Sequence, residues 1–223
     1  SEIVSIGGNY ISLPVYGYLS NVRIVKGTAV SAGVPTSPLT AISGTSLLTC
    51  QSNRFIDNSS NAFTITRNGD VSVQRFSPFS PTAPYAAGTD GGSGYFDGSG
   101  DYLSVANNTA FDMGSGDFTI EAWFYQTAAG TYPTICGKYE ASNQASWTIG
   151  MNGSNWDVYT YYGTTSVLTI YTGARPALGQ WNHVALERNG SNIEFYVNGT
   201  RLAQVAAQTM RTSTSAVAVG ALG

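Results

Sequence analysis

Apolar and polar side chains alternate along most of this chain, most clearly over residues 118–125. One face of this segment carries Phe118, Ile120, Ala122 and Phe124, and the other carries Thr119, Glu121, Trp123 and Tyr125. A period of two indicates a β-strand, because successive side chains of a strand point to opposite faces. Large groups on both faces favour a central strand in a sandwich of two sheets.

Asn-Gly pairs and prolines mark the interruptions of this alternation. Asn68–Gly69 predicts a type I′ hairpin, while Asn189–Gly190 and Asn198–Gly199 predict a meander around the strand between them. Residues 31–44 contain two prolines and predict a linker or surface excursion. The proline-rich residues 76–88 cannot form a central strand, because proline has no N–H to donate. With almost nothing favouring a helix, the sequence predicts an all-β antiparallel two-sheet sandwich.

Composition narrows the range of functions. The 223 residues carry a formal net charge of −3, and 10% of them are charged. This balance gives no reason to expect a nucleic-acid partner or an anionic membrane surface. No apolar run approaches the ~20 residues of a transmembrane helix, so membrane insertion is not predicted.

Few residues are candidates for catalysis or metal binding. Cys50 and Cys136 form either one disulfide or two separate buried thiols, and the second interpretation is favoured. His183, the single histidine, excludes a multi-histidine metal site and is interpreted as a hydrogen-bonded residue of the sandwich. Asp117 and Glu121 lie four residues apart, about 13 Å on a strand, which is too far for the paired carboxylates of a retaining glycosidase. The sequence therefore predicts no catalytic residues and no enzyme.

Four segments occur in a specific order along the chain. They read SLLTCQSNRFIDNSSNAFTIT, SGYFDGSGDYLSV, SGDFTIEAWFY and GQWNHVALERNGSNIEFYVNGTRLA. In this order they resemble the concanavalin A-like, laminin G-type jelly roll over roughly residues 45–223. The resemblance implies a jelly-roll sandwich.

The beginning and the end of the sequence share a pattern. Val4–Gly8 and Val217–Ala221 both read as β-branched, small, β-branched, Gly, small. Domains of the resembled family continue from such a turn into a closing strand of the form Gly-Tyr-Leu…Val-Arg-Ile, which here lies near the beginning of the chain. The resemblance thus divides the chain into closing strands over residues 1–30, a linker over 31–44 and a sandwich lacking its last strand over 45–223.

Three arrangements of the closing strands remain open. They close their own sandwich as a circular permutant, complete a neighbouring copy or repeat by strand exchange, or leave an open edge after a plain truncation. In the first two arrangements the assembly strand contains Val22, Arg23, Ile24 and Val25.

Aromatic residues crowd the segment 155–171, where the sequence predicts a glycan site. Asp157, Tyr159 and Tyr161 share the face opposite the apolar Val158, and Tyr171 follows on the next strand. Aromatic rings stack on sugars, and polar groups beside them bind hydroxyls. Ordinary sheet packing is the default interpretation of these residues, and the glycan site is the functional one.

Calcium is the one ion that the resemblance implies, and no cofactor is required. Domains of this kind hold calcium at the rim of the sandwich with Asp and Asn oxygens. The turns of this chain offer six such residues: Asp57, Asn58, Asp97, Asp101, Asp112 and Asp117. The alternative is that they only form turns.

The same segments resemble tandem domains in long virion and surface proteins of marine phages and bacteria. That resemblance implies a location on a virion surface, outside the cell or on the cell surface. Two functions follow. The chain is a glycan-contacting adhesion module of a tail fibre or surface protein, or it is a structural repeat that assembles with neighbouring copies and has no ligand.

Overall fold

The computed structural model describes residues 15–30, 33–79, 91–139, 145–164 and 166–221. Their secondary structure is fifteen strands and one short 3₁₀ helix, η1, over Thr109–Phe111. The strands are β1 Tyr16–Lys26, β2 Thr45–Thr49, β3 Thr66–Asn68, β4 Ser72–Gln74, β5 Ser93–Asp97, β6 Tyr102–Val105, β7 Phe118–Gln126, β8 Thr134–Lys138, β9 Trp147–Asn152, β10 Asn155–Tyr162, β11 Ser166–Tyr171, β12 Trp181–Asn189, β13 Asn192–Val197, β14 Thr200–Ala206 and β15 Val217–Val219.

The strands form two antiparallel sheets. The first has the order β14-β13-β12-β7-β1-β5-β4, with β2 paired to β1, and the second has the order β11-β10-β9-β8-β15-β6-β3. The predicted all-β, antiparallel two-sheet jelly-roll sandwich is confirmed.

Strand β7 lies in the middle of the first sheet, between β12 and β1. The core between the sheets contains the side chains that the sequence placed on one face of this strand, Phe118, Ile120, Ala122 and Phe124, each at most 1% exposed. The periodicity of this strand therefore indicated its central place and its two faces, and the structure shows which face is buried.

Strand β1 carries the residues of the predicted assembly strand. Within this one chain it pairs with β7, β5 and β2. Val22 and Ile24 are fully buried in the core, whereas Arg23 points to the opposite face of the sheet. The sandwich is thus complete at this position when the chain supplies its own β1.

One turn prediction is wrong and another is confirmed. Asn68–Gly69 does not join a hairpin, because β3 pairs with β6 in the second sheet and β4 pairs with β5 in the first. The Asn-Gly pattern alone would pair β3 with β4, but each of these strands is held by a different sheet. Asn198 and Gly199 both have positive φ, 50° and 76°, and join β13 to β14 as a type I′ turn requires.

Cys50 and Cys136 are free and buried, as the favoured interpretation predicted. Burial raises the pKa of each thiol to about 12.

The described part of the segment 31–44, residues 33–44, crosses the outer side of β1. It is held there by hydrogen bonds from Leu39 N to Asn21 Oδ1 (2.7 Å) and from Arg23 Nη1 to Thr40 O (2.9 Å).

Candidate functional site

The outer face of the first sheet, turned away from the core, carries a group of aromatic and charged side chains. Since side chains alternate along a strand, this face is defined by the neighbours of the core residues. On β7 it presents Thr119, Glu121, Trp123 and Tyr125, which the sequence placed together on one face. Strand pairing places them beside residues that lie far away along the chain.

Four aromatic residues form one row across four neighbouring strands. Tyr125 on β7 is the direct register partner of both Trp181 on β12 and Tyr18 on β1, and Tyr18 is in turn the partner of Tyr95 on β5. Neighbouring strands are about 4.8 Å apart, and the rings gather more closely than their strands, with the centroids of Tyr18 and Trp181 6.4 Å apart. We call these residues, together with Phe76, the aromatic row.

Phe76 lies against the middle of this row. Its ring centroid is 4.9 Å from those of Tyr18 and Tyr125 and 5.2 Å from that of Trp181. Phe76 is 41% exposed, and the other rings of the row are half-buried. The row is therefore an accessible aromatic surface, which the sequence analysis did not identify.

Next to the aromatic row, three ionisable side chains form a buried cluster. Glu121 accepts hydrogen bonds from Arg23 Nε at 2.8 Å and pairs with His183 Nε2 at 3.1 Å, and none of the three residues is more than 5% exposed. Burial acts to raise the pKa of Glu121, but the hydrogen bond from His183 and the charge of Arg23 outweigh it, so its pKa lies below the ordinary value. His183 is a hydrogen-bonded residue of the sandwich, as predicted.

Beyond this cluster, two more carboxyl groups face each other. Glu187 on β12 is the register partner of Glu194 on β13, and Arg201 Nη1 donates to Glu194 Oε1 at 2.8 Å. Glu187 is 4% exposed. Burial, and then the negative charge of Glu194, raise the pKa of Glu187 to about 7. This cross-strand pair gave no signal in the sequence, because its members belong to different strands.

The predicted glycan patch is only partly assembled. Asp157 and Tyr159 lie half-buried on the outer face of the second sheet, opposite the core residue Val158, as the alternation predicted. Burial and the neighbouring Asp157 raise the pKa of Tyr159 to about 12. Tyr161 is 8% exposed, and its ring packs against that of Tyr139 at 5.8 Å.

Tyr171 lies on the other side of the second sheet. It is the register partner of Val158 and packs against the core, with its ring 5.7 Å from that of Phe195. A β-bulge between Val158 and Tyr159 shifts the register at this point. The structure therefore leaves Asp157 and Tyr159 as the accessible part of the patch.

Three of the six predicted calcium ligands have their carboxylates engaged by other groups. Asp57 accepts hydrogen bonds within its own turn, including one from Phe63 N at 3.0 Å. Asp112 pairs with Lys138 at 2.7 Å, and Asp117 Oδ1 accepts from Gly190 N at 2.8 Å. Asn58 follows Asp57 in the same turn, and its backbone N–H donates to Leu48 O at 2.8 Å.

The remaining two candidates, Asp97 and Asp101, come together with Asp70. One carboxylate oxygen from each lies within 4.8 Å of the others. Asp101 is buried and accepts hydrogen bonds from the backbone N–H groups of Asp70 and Asp97, whose own side chains are exposed. Asp101 thus joins two turns, and the exposed pair could offer oxygen ligands to a hard cation.

The fold and the motifs of this chain define a class of protein. Residues 97–222 match the family described as the concanavalin A-like lectin/glucanases superfamily. The chain belongs to this family.

Solved structures with the same fold include toxin binding domains. The binding domain of Paraclostridial Mosquitocidal Protein 1 superposes with a TM-score of 0.60 at 14% identity, covering 79% of this chain and 44% of that one. The binding domain of botulinum neurotoxin DC in complex with rat synaptotagmin II has a TM-score of 0.55 at 17% identity, with coverage of 79% and 44%. A structure of botulinum neurotoxin type C, whose cell entry depends on interaction with two ganglioside molecules, has a TM-score of 0.56 at 18% identity, with coverage of 79% and 43%.

These likenesses concern the fold. The chain spans less than half the length of the toxin structures that it matches. A comparison with curated proteins gave no match. Among the described residues, no helix has the length and apolar character needed to cross a membrane.

Proposed function

We propose that this chain is a carbohydrate-binding module and that the aromatic row on the outer face of the first sheet holds the sugar. The observation that carries the proposal is the register of Trp181, Tyr125, Tyr18 and Tyr95, four accessible rings side by side on four strands. Aromatic faces pack against the apolar faces of sugar rings, and a row of rings on a rigid sheet is ordered before the ligand arrives.

The module acts by binding rather than by catalysis. A glycosidase needs one carboxyl group free to donate a proton and another free to attack or to activate water. Glu121, the acidic residue closest to the row along β7, is buried and engaged by Arg23 and His183. Membership of a lectin-containing family and the ganglioside named for the structure of neurotoxin type C agree with a glycan ligand.

The test is a glycan-array screen of the full chain. Trp181→Ala should abolish binding to the glycan that the wild type selects, because it removes the ring at one end of the aromatic row. Phe76→Ala should weaken the same binding, since Phe76 is the most exposed ring of the row. Tyr159→Ala is the matched control, because it removes an aromatic ring from the outer face of the other sheet.

Two results would count against this assignment. If Tyr159→Ala abolishes binding and Trp181→Ala does not, the glycan is held at Asp157 and Tyr159 on the second sheet. If the wild type selects no glycan, the module lacks the proposed function.

Assembly through exchanged strands is the second candidate function. It is favoured by the position of β1, which fills the middle of the first sheet although it precedes every other strand of the described residues. An equivalent strand from a neighbouring copy or repeat would satisfy the same backbone groups of β7 and β5. On this proposal the chain builds a fibre or another surface structure of a virion or a cell, and no ligand is needed.

A further inference from the structure

A shallow cleft of about 470 Å³, with both apolar and polar lining, opens at the rim of the sandwich, where β1 ends and β2 begins. Its lining includes Lys26, Thr45, Ser46, Ser60 and Asn61. No residue of the aromatic row is among them. Lys26 lies eight residues beyond Tyr18 on the same strand, so the cleft is about 26 Å from the row.

The turn that holds one wall of the cleft is organised by Asp57. This carboxylate accepts from Leu48 N at 3.1 Å, Ser59 N at 2.8 Å and Phe63 N at 3.0 Å. Asn61 Nδ2 donates to Ser46 O at 3.0 Å, which ties the turn to β2. The exposed side chains of Ser60 and Asn61 therefore have a backbone that is fixed before any ligand arrives.

The opposite wall supplies a positive charge. Lys26 Nζ donates to Thr109 O at 2.9 Å, and an ammonium group has three N–H donors, so two remain for a ligand. None of the described residues that line the cleft is acidic. Two acids lie near the cleft: Asp112, which pairs with Lys138, and Asp117, whose backbone carbonyl accepts from Gly27 N at 2.6 Å and whose carboxylate accepts from Gly190 N. Lys26 is the one charged residue among the described residues that line the cleft.

We propose that this cleft binds a sugar residue bearing a carboxylate. The carboxylate would pair with the Lys26 ammonium, and the ring hydroxyls would bond to Ser60 and the Asn61 amide. A single ammonium surrounded by hydroxyl and amide groups suits one carboxylate on a hydroxyl-rich ligand, whereas bidentate phosphate sites are typically built with arginine. The inference rests on the proposed glycan-binding function and adds a second subsite with a preference for acidic glycans.

The experiment is a titration of the ¹⁵N-labelled full chain, followed by amide chemical shifts. The probes are the methyl glycoside of glucuronic acid and, as its neutral counterpart, methyl glucoside. Glucuronide should shift the amides of Gly27, Gly44 and Asn61, and methyl glucoside should bind at least tenfold more weakly. Lys26→Gln should weaken glucuronide binding at least tenfold, and Ser60→Ala should weaken it less. Arg67→Gln, which removes an exposed positive charge from β3, should leave it unchanged.

Three results would overturn the assignment: equal binding of the two sugars, retention of glucuronide binding in Lys26→Gln with wild-type amide shifts elsewhere, or the same shifts caused by inorganic phosphate.

Trp181→Ala separates this inference from the glycan proposal, because it should leave the titration at the cleft unchanged. Loss of array binding in Trp181→Ala with no response at Lys26 would refute the cleft alone. If glucuronide binding depends on Lys26 but Trp181→Ala has no effect on the array, the proposal for the aromatic row is wrong and that for the cleft stands.

Discussion

The backbone N–H of Val15 donates a hydrogen bond to the carbonyl oxygen of Gly220 at 2.7 Å. Gly220 follows β15 in the second sheet, and Val15 precedes β1 in the first. In the sequence, the pattern around Gly220 recurs around Gly7, which precedes Val15 by eight residues. The contact joins the positions that a continuous repeat would connect by a short loop, and so it supports both closure within one chain and exchange between copies.

Removal of residues 1–30 should prevent stable folding of a single chain. The deletion removes β1, whose side chains Leu19, Val22 and Ile24 are fully buried. Each such side chain contributes about 1.5–3 kcal/mol, so their loss approaches the whole stability of an ordinary domain. Light scattering and circular dichroism of the full and shortened chains measure the effect.

The mass of the full chain separates the two ways of placing β1. A stable monomer, with an unfolded or aggregated deletion variant, indicates that β1 closes its own sandwich. Polymers that grow with concentration and disappear in the deletion variant indicate strand exchange. A deletion variant as stable as the full chain would show that β1 is dispensable and would contradict both.

Glu121→Gln should destabilise the fold by about 3–5 kcal/mol, because it leaves the charge of Arg23 buried without its partner. Urea unfolding at pH 7 measures the free energy of unfolding. Arg67→Met is the control. It removes an exposed charge from β3, and it should cost less than about 1 kcal/mol.

The same cluster should make the wild type sensitive to acid. Since the pKa of Glu121 is lower in the folded state, its contribution is fully present above the ordinary value of 4.5 and is lost as pH falls through the folded-state value. Glu121→Gln should flatten that part of the stability profile. If the stability of Glu121→Gln decreases with falling pH as steeply as that of the wild type, this account is wrong.

Glu187 should produce the opposite trend near neutral pH. Because its folded-state pKa is raised to about 7 from 4.5, the folded state binds more protons between these values, and stability should decrease as pH rises from 4.5 to 7. Glu187→Gln should remove this decrease and stabilise the protein at pH 8 by up to about 3 kcal/mol. Thermal unfolding of both proteins from pH 5 to pH 8 is the measurement.

Calcium should raise the melting temperature if Asp70, Asp97 and Asp101 form a rim site, since an ion that binds only the folded state stabilises it. Asp97→Asn should remove the response to millimolar calcium while preserving the fold, because Asp97 is exposed. Asp117→Asn, outside this cluster, is the control and should respond as the wild type does. The absence of a calcium effect on the wild type would leave Asp101 with its structural role alone.

The local alternation of the sequence determined most of the fold. The period of two over 118–125 predicted a central strand and its two faces, and the Asn198–Gly199 pair predicted its turn, because both features depend on neighbours a few residues away. Asn68–Gly69 carried the same local signal and failed. There the two flanking strands pair with different sheets, and those contacts outweigh the preference of the turn.

The candidate site depended on contacts that no local pattern contains. The sequence placed Glu121 and Tyr125 on one face of β7, but it did not indicate which residues lie beside them. Strand order and register brought Trp181, Tyr18 and Tyr95 to Tyr125, and Arg23 and His183 to Glu121. The sequence by itself therefore determined most strands and the alternation of their faces, through interactions between neighbours along the chain. Only the tertiary structure decided which side chains meet, because pairing between distant strands sets those distances.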